Sequence, residues 1–324
     1  MDQLTDKTII ITGGTGSFGK AFVKFLLQNT NAKKIIVFSR DEFKQSNMKE
    51  QFENDERLRF FLGDVRDLAR LKRAFAGVDI VVHAAALKQV PTLEYNPFEA
   101  VKTNIIGSQN VVDASIDSGV KKVLLISTDK AVEPVNLYGS TKLCAEKLFS
   151  AGNSYSGRTT IFSCVRYGNV IASRGSIIEK LKERGTSPIE ITDERMTRFW
   201  LSLGKSIELI MFALENMVGG EIFVPKIPSM KLVDLFEAFA PGANRKIIGI
   251  RPGEKIHEIL VSKPEARHCV EYKGYYVILT EFPYFSADAY KKYYTEGNKL
   301  SEDFEYSSDA NIDWIQKDEI ISVV

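Results

Sequence analysis

An α/β fold, with a doubly wound parallel sheet and a smaller C-terminal α/β lobe, is what this sequence predicts. Three features point to it. Short β-rich apolar runs alternate with helix-length amphipathic segments through the first half. A glycine-rich stretch, Thr12-Gly13-Gly14-Thr15-Gly16-Ser17-Phe18-Gly19, joins the first run to the first helical segment. Beyond Arg166 the alternation is broken by Pro188, Pro225, Pro228, Pro241, Pro252 and Pro264.

Strands are expected over Thr8–Thr12, Lys34–Phe38, Leu58–Leu62, Asp79–His83, Val123–Ser127 and Thr160–Arg166, because each is a short apolar or β-branched run between polar breaks. Helices are expected between them, over Phe18–Gln28, Glu42–Phe52, Leu68–Ala74, Phe98–Ser118 and Leu137–Ala151. Parallel strands with helical crossovers place ligands beyond the carboxyl ends of the strands. Residues 1–166 then read as a dinucleotide-binding domain. Residues 167–324 read mainly as a substrate lobe and tail, with an approximate boundary and interleaving lobes. The tail carries four tyrosines between Tyr284 and Tyr294, a pattern that suits docking on the body or on a neighbouring subunit.

The 324 residues suffice for a sizeable core. Lys plus Arg (43) nearly cancels Asp plus Glu (42), so no global charge points to nucleic acid or an anionic membrane. No apolar run reaches the roughly 18–20 residues of a membrane span. Cys144, Cys164 and Cys269 are odd in number and widely spaced, which argues against disulfides and zinc and for a reducing cytoplasm. No spacing of His83, His257 or His268 suggests a metal, and His83 reads as buried structure at a strand end.

The glycine-rich stretch has the context of a Rossmann-type dinucleotide fingerprint, with Gly13, Gly16 and Gly19 between a strand and a helix. The glycines allow a tight turn and close approach of backbone to pyrophosphate, and the helix N-terminus at Ser17-Phe18 favours the phosphates. At the end of the second strand stand Ser39 and Arg40, with Lys44 nearby. Cations there suit a 2′-phosphate, so NADP is expected over NAD, although Asp41 remains able to reach a ribose. Asp64 and Val65 follow the third strand, where an acid and a small residue can face the adenine; the plainer reading of Asp64 is a turn or cap.

Tyr138 and Lys142 are four apart and share a helix face. A nearby ammonium should lower the phenol pKa and ready it to take a proton. With the glycine fingerprint upstream, this Tyr-x-x-x-Lys resembles the extended, nucleotide-sugar-modifying branch of the short-chain dehydrogenase/reductase superfamily. Immediately after the fifth strand comes Ser127-Thr128-Asp129-Lys130. The run Asp129-Lys130-Ala131-Val132-Glu133-Pro134-Val135-Asn136-Leu137-Tyr138-Gly139 resembles the soluble inverting UDP-N-acetylglucosamine 4,6-dehydratases, which open pseudaminic acid biosynthesis. His83-Ala84-Ala85-Ala86-Leu87-Lys88, Arg166-Tyr167-Gly168-Asn169-Val170, Ser173-Arg174-Gly175-Ser176, Ile191–Trp200 and Arg251-Pro252-Gly253-Glu254-Lys255 extend the resemblance over most of the chain.

The resemblance implies oxidation at carbon 4 by Tyr138 with Lys142, removal of the carbon-5 proton by Lys130, protonation of the departing hydroxyl by Asp129, and positioning by Thr128. It implies a tightly held, recycled NADP, contacted also by Ala85 and Lys88, and UDP-N-acetylglucosamine held by Lys88, Asn169, Ser173, Arg174, Thr192, Arg251 and Glu254. It further implies a homo-oligomer. Lys130 must be neutral and Asp129 protonated for these roles, opposite to their forms in water, so the pair is expected to titrate together and become competent in the complex. A carbon-4 epimerase, a retaining dehydratase and a non-catalytic NADP sensor stay open as alternatives.

Overall fold

The computed structural model describes residues 2–52, 55–171, 181, 188–281 and 287–323. The first six strands are β1 (Thr8–Thr12), β2 (Lys34–Ser39), β3 (Leu58–Leu62), β4 (Ile80–His83), β5 (Lys122–Ile126) and β6 (Ile161–Val165). After them come β7 (Asn169–Val170), β8 (Ile189–Ile191), β9 (Thr197–Leu201), β10 (Ile222–Pro225), β11 (Ser229–Lys231) and β12 (Arg245–Ile247). The last five are β13 (Ile259–Val261), β14 (Cys269–Tyr272), β15 (Tyr275–Ile278), β16 (Asn298–Lys299) and β17 (Tyr306–Ser307).

Among the described residues, ten strands form one sheet in the order β16-β14-β15-β10-β6-β5-β4-β1-β2-β3. From β3 to β10 every neighbour is parallel, and β15, β14 and β16 add an antiparallel edge. The order reverses between β1 and β4, which puts the switch-point crevice at the carboxyl ends of those two strands. The expected doubly wound α/β fold is thus present.

Helices cover both faces. In chain order they include α1 (Ser17–Asn29), α2 (Glu42–Gln51), α3 (Leu68–Phe75), α4 (Val90–Tyr95), α5 (Pro97–Ala100), α6 (Gly107–Asp117), α7 (Leu137–Tyr155) and α8 (Leu203–Asn216). Along β1 the alternation of a strand sends Ile9 and Ile11 to one face and Ile10 to the other. Ile9 and Ile11 join Phe22, Leu26, Leu209 and Ala213 under α1 and α8, whereas Ile10 joins Leu71, Val111 and Phe149 under α3, α6 and α7. A third apolar cluster, including Met196, Trp200, Met230, Leu235 and Phe236, lies around β9, β11 and the helix Leu232–Phe239.

Two differences from the sequence reading have local causes. The helix expected over Phe98–Ser118 is α5 and α6 joined by a π-helical turn, Val101–Ile106. In that turn buried Asn104 accepts from Leu87 N and donates to Leu87 O and Thr141 Oγ1, tying the segment after β4 to α7. The short α4, not anticipated, has Pro91 in its first turn, where a missing N–H costs nothing. The tail docks on the body: Tyr290 OH donates to Gly219 O, and Tyr293 OH reaches Asn216 O and Glu221. Tyr284 lies outside the described residues. Among the described residues no helix is long and apolar enough to cross a membrane.

Candidate active site

At the end of β1 the chain turns through Gly13, whose φ is +68°. A Cβ there would lie 2.9 Å from the Ala85 backbone, so the loop after β4 closes against bare backbone. At Gly19 a Cβ would meet Gly14 O at 2.4 Å, which makes glycine the condition for α1 to start so close to the strand. Gly16 is the N-cap of α1 and supplies no side-chain cap, leaving the positive end of the helix open to an anionic group. Ser17 begins the helix, and Phe18 stacks on Phe22 at 5.6 Å. This bare cradle fits a dinucleotide pyrophosphate. His83, one strand over, is buried with Nδ1 2.6 Å from Thr12 Oγ1 and Nε2 3.2 Å from Ser108 Oγ. Burial, then the charge of Lys142, pushes its pKa down to about 3, so it stays neutral within the scaffold.

At the end of β2, Ser39 Oγ accepts from Gln45 Nε2 at 3.0 Å, and the same amide donates to Ser39 O and Phe61 O. Arg40 lies half exposed with Nη1 3.4 Å from Asp64 Oδ2. Lys44 Nζ lies 2.5 Å from Asp41 Oδ2, and Asp41 also caps α2 by accepting from Lys44 N. Each exposed cation at this rim is therefore paired with a carboxylate. Asp64 accepts from Arg66 N as well, and Val65 is buried with its carbonyl held by Asn110.

The acid–base group sits at the end of β5. Asn136 caps α7 by accepting from Gly139 N at 2.8 Å, an interaction worth roughly 1 kcal/mol, and so fixes the turn that carries Tyr138. Asp129 is fully buried, with its N–H donating to Tyr167 O at 3.1 Å. Its Oδ1 accepts from Thr128 Oγ1 at 2.9 Å and Lys130 Nζ at 3.1 Å, whereas Oδ2 has no hydrogen-bond partner. Lys130 Nζ is also 3.5 Å from Oε1 of Glu258, a residue the sequence reading did not single out. Glu258 is 2% exposed and lies 3.6 Å from Arg198 Nε, another site residue the sequence reading missed. The chain order offered no signal for either, since Glu258 meets Lys130, and Arg198 meets Glu258, from distant parts of the chain.

Titration follows burial and charge. Desolvation pulls the Lys130 pKa down, but Asp129 and then Glu258 outweigh it and hold the ammonium above its ordinary value. Tyr138 does not have the lowered pKa expected from its spacing to Lys142. Desolvation raises it to about 12, with Lys130 and the Thr128 hydroxyl pulling the other way and Asp129 adding to the rise. The reason is positional: Lys142 Nζ donates to Ile126 O at 2.8 Å, and desolvation lowers its own pKa to about 8.

The remaining sequence candidates lie around this centre or outside the described residues. The Lys88 pKa is lowered by desolvation and then by Lys130, so it shares the field of the pair. Arg251 is exposed, 3.8 Å from Glu190 and 3.9 Å from Glu254, whose Oε2 is buried without a partner. The same loop docks below α7, with Asn136 Nδ2 donating to Gly253 O at 2.8 Å and Lys255 Nζ donating to Val132 O. Asn169 pairs with Trp200 in the β7–β9 ladder, and Thr192 Oγ1 lies 3.0 Å from Met196 Sδ. Ser173 and Arg174 lie outside the described residues.

Comparison with known proteins bears on this arrangement. The model of a family described as polysaccharide biosynthesis protein matches residues 9–280. A UDP-N-acetylglucosamine 4,6-dehydratase (inverting) of Campylobacter jejuni is 49% identical, over 98% of this chain and 97% of the relative. A UDP-glucose 4-epimerase of Rickettsia felis is 42% identical over 93% and 91% respectively. Among solved structures, Pen from Bacillus thuringiensis superposes with a TM-score of 0.89 at 36% identity, over 99% of this chain and 97% of that one.

Proposed function

The chain belongs to the polysaccharide biosynthesis protein family, and we propose that it is an inverting UDP-N-acetylglucosamine 4,6-dehydratase that recycles NADP. The observation that carries this reading is the buried Asp129 beside Lys130, with one carboxylate oxygen engaged by the amine and the other unpartnered. Carbon-4 chemistry alone uses a phenol and a nicotinamide; a buried acid touching an amine is what elimination across carbons 5 and 6 requires. The likeness to the Campylobacter enzyme supports the same substrate. The epimerase reading is favoured by the Rickettsia relative but leaves this pair without a task.

Tyr138 takes the proton of the carbon-4 hydroxyl in its phenolate form, which burial disfavours and the Lys130 charge and the Thr128 hydroxyl favour. A nicotinamide dinucleotide held at the turn between Gly13 and Gly19 would supply a hydride acceptor for carbon 4 and a hydride donor for carbon 6. The ketone so made acidifies carbon 5. Passage of a proton from Lys130 Nζ to Asp129 Oδ1, 3.1 Å apart, makes the amine a base and the carboxyl an acid with no change in net charge. Lys130 then removes the carbon-5 proton, Asp129 protonates the departing hydroxyl, and water leaves. A solvent-derived proton added to carbon 5 from the face opposite Lys130, with hydride restored at carbon 6, gives UDP-2-acetamido-2,6-dideoxy-β-L-arabino-hex-4-ulose. Lys88, Asn169, Thr192, Arg251 and Glu254 are assigned to the UDP-sugar. Arg251 is suited to the diphosphate by its planar fork of donors.

Proton NMR of the purified protein with UDP-N-acetylglucosamine in deuterated water, without added cofactor, tests the assignment. A new carbon-6 methyl signal with deuterium at carbon 5 and L-arabino couplings is expected. D-xylo couplings would reverse the stereochemical assignment, and a galacto product without methyl would hand the chain to the epimerases.

NADP preference rests on Arg40 and Lys44 at the rim of β2. Arg40→Ala is expected to weaken NADP binding about tenfold, or about 1.4 kcal/mol, and NAD far less. Titration calorimetry of both dinucleotides checks this, and equal loss for the two would remove Arg40 from the 2′-phosphate.

A further inference from the structure

Buried carboxylates in this chain are normally wrapped by donors. Glu221 accepts from Ser163 Oγ, Val218 N, Gly219 N and Tyr293 OH, and Glu146 takes two hydrogen bonds from Arg166. Glu258 differs. Its backbone is pinned, with N donating to Ser308 Oγ at 2.9 Å and O accepting from Ser308 N at 2.8 Å. Its side chain, by contrast, meets two cations at ion-pair distance, Lys130 at 3.5 Å and Arg198 at 3.6 Å, and Oε2 is buried with no hydrogen-bond partner. Burying a carboxylate this way is costly unless its charge is engaged. Arg198 does not depend on it, because the guanidinium donates to Thr197 O, Ile256 O and Lys255 O. Lys130 is the group whose chemistry the charge can change.

We propose that Glu258 is a positioning residue for the acid–base pair, sharing the amine of Lys130 with Asp129 and governing how readily that amine exchanges its proton. The inference rests on the dehydratase reading and deepens it. The step balances within the chain: a Lys130 N–H bond breaks, an O–H bond forms on Asp129 Oδ1, and the electron pair left on Nζ takes the carbon-5 proton. The ammonium that results again lies 3.5 Å from the Glu258 carboxylate. Glu258 touches neither sugar nor cofactor in this scheme. Burial raises its own pKa, opposed by Lys130, Arg198 and Lys255 and reinforced by Asp129. His257, next in the chain, turns instead to Thr197 Oγ1 and Asp309.

The test compares wild type, Glu258→Gln and Glu258→Asp, each purified with its cofactor, by the pH dependence of methyl formation. Removing a negative charge beside Lys130 makes its amine a weaker base and disfavours a second proton on the Asp129–Lys130 pair, so the singly protonated pair persists to lower pH. Glu258→Gln should therefore move the acidic limb of the kcat profile down by about one pH unit and lower the plateau about tenfold, with KM nearly unchanged. Glu258→Asp should restore the limb toward wild type. Nitrogen-detected NMR titration of Lys130 in labelled protein, without substrate, should show the same downward shift in Glu258→Gln. A rate loss with an unmoved limb and an unmoved Lys130 titration would reduce Glu258 to a structural role and overturn the proposal. If wild type itself forms no methyl product, the dehydratase reading falls, whereas the Lys130 titration still reads the Glu258–Lys130 coupling by itself.

Discussion

Lys130→Met is expected to stop formation of the carbon-6 methyl group, by about 10²–10⁴-fold, while oxidation at carbon 4 continues more slowly for want of the Lys130 charge that favours the Tyr138 phenolate. Met matches the length of the lysine stem and removes only the amine, so the packing around the turn is retained. What disappears is the group that lies between Asp129 at 3.1 Å and Glu258 at 3.5 Å. With UDP-N-acetylglucosamine the variant should accumulate the absorbance of reduced nicotinamide, since hydride has been taken and has no acceptor at carbon 6. In deuterated water its sugar should gain no deuterium at carbon 5. Asp129→Asn provides the complement, because it keeps the amine and loses the acid. That variant should release no water, and it should exchange the carbon-5 proton only slowly, because Lys130 has lost the carboxylate that takes its proton. Normal methyl formation by Lys130→Met would end the assignment of Lys130 as the base.

How much of this was legible in the sequence depends on distance along the chain. The strands from β1 to β6 were visible because each is a short apolar run whose residues alternate between two buried faces, as Ile9, Ile10 and Ile11 do. Asp129 and Lys130 were visible because they are adjacent, and Tyr138 and Lys142 because a helix turn separates them. Glu258 and Arg198 were not, since nothing in their neighbourhood distinguishes a carboxylate that faces solvent from one that faces Lys130. The return of β10, β14 and β15 to the main sheet was equally hidden, because strand pairing across many residues leaves no periodic trace. The Tyr138 pKa failed for a related reason. Spacing showed a nearby lysine, but the dominant cause is burial, and the Lys142 amine is committed to Ile126 O. Likewise the π-helical turn follows from Asn104 bonding to Leu87 and Thr141, contacts invisible in a local pattern.

Arg166→Met is expected to destabilise the protein by about 3–5 kcal/mol, the cost of leaving a buried charge without its partner. Arg166 is fully buried, and its guanidinium joins three parts of the chain. Nε and Nη2 donate to Glu146 of α7 at 3.1 and 2.7 Å, Nη1 and Nη2 donate to Glu265 at 3.0 and 2.9 Å, and Nη1 also reaches Leu260 O at 3.0 Å. Glu265 is fixed in turn by a capping box with Ser262. Removing the arginine strands Glu146, which is 1% exposed, in the middle of the helix that carries Tyr138 and Lys142. It also loosens the stretch in which Tyr167 O holds Asp129 N. The Tm should fall by about 4–7 °C, measured by calorimetry at matched cofactor concentration. The converse variant separates charge from packing: Arg166→Met with Glu146→Leu and Glu265→Met removes every member of the ion cluster and should recover most of the loss. A triple variant no more stable than Arg166→Met would mean that the hydrogen-bond geometry, rather than the stranded charge, holds α7 against the C-terminal segment.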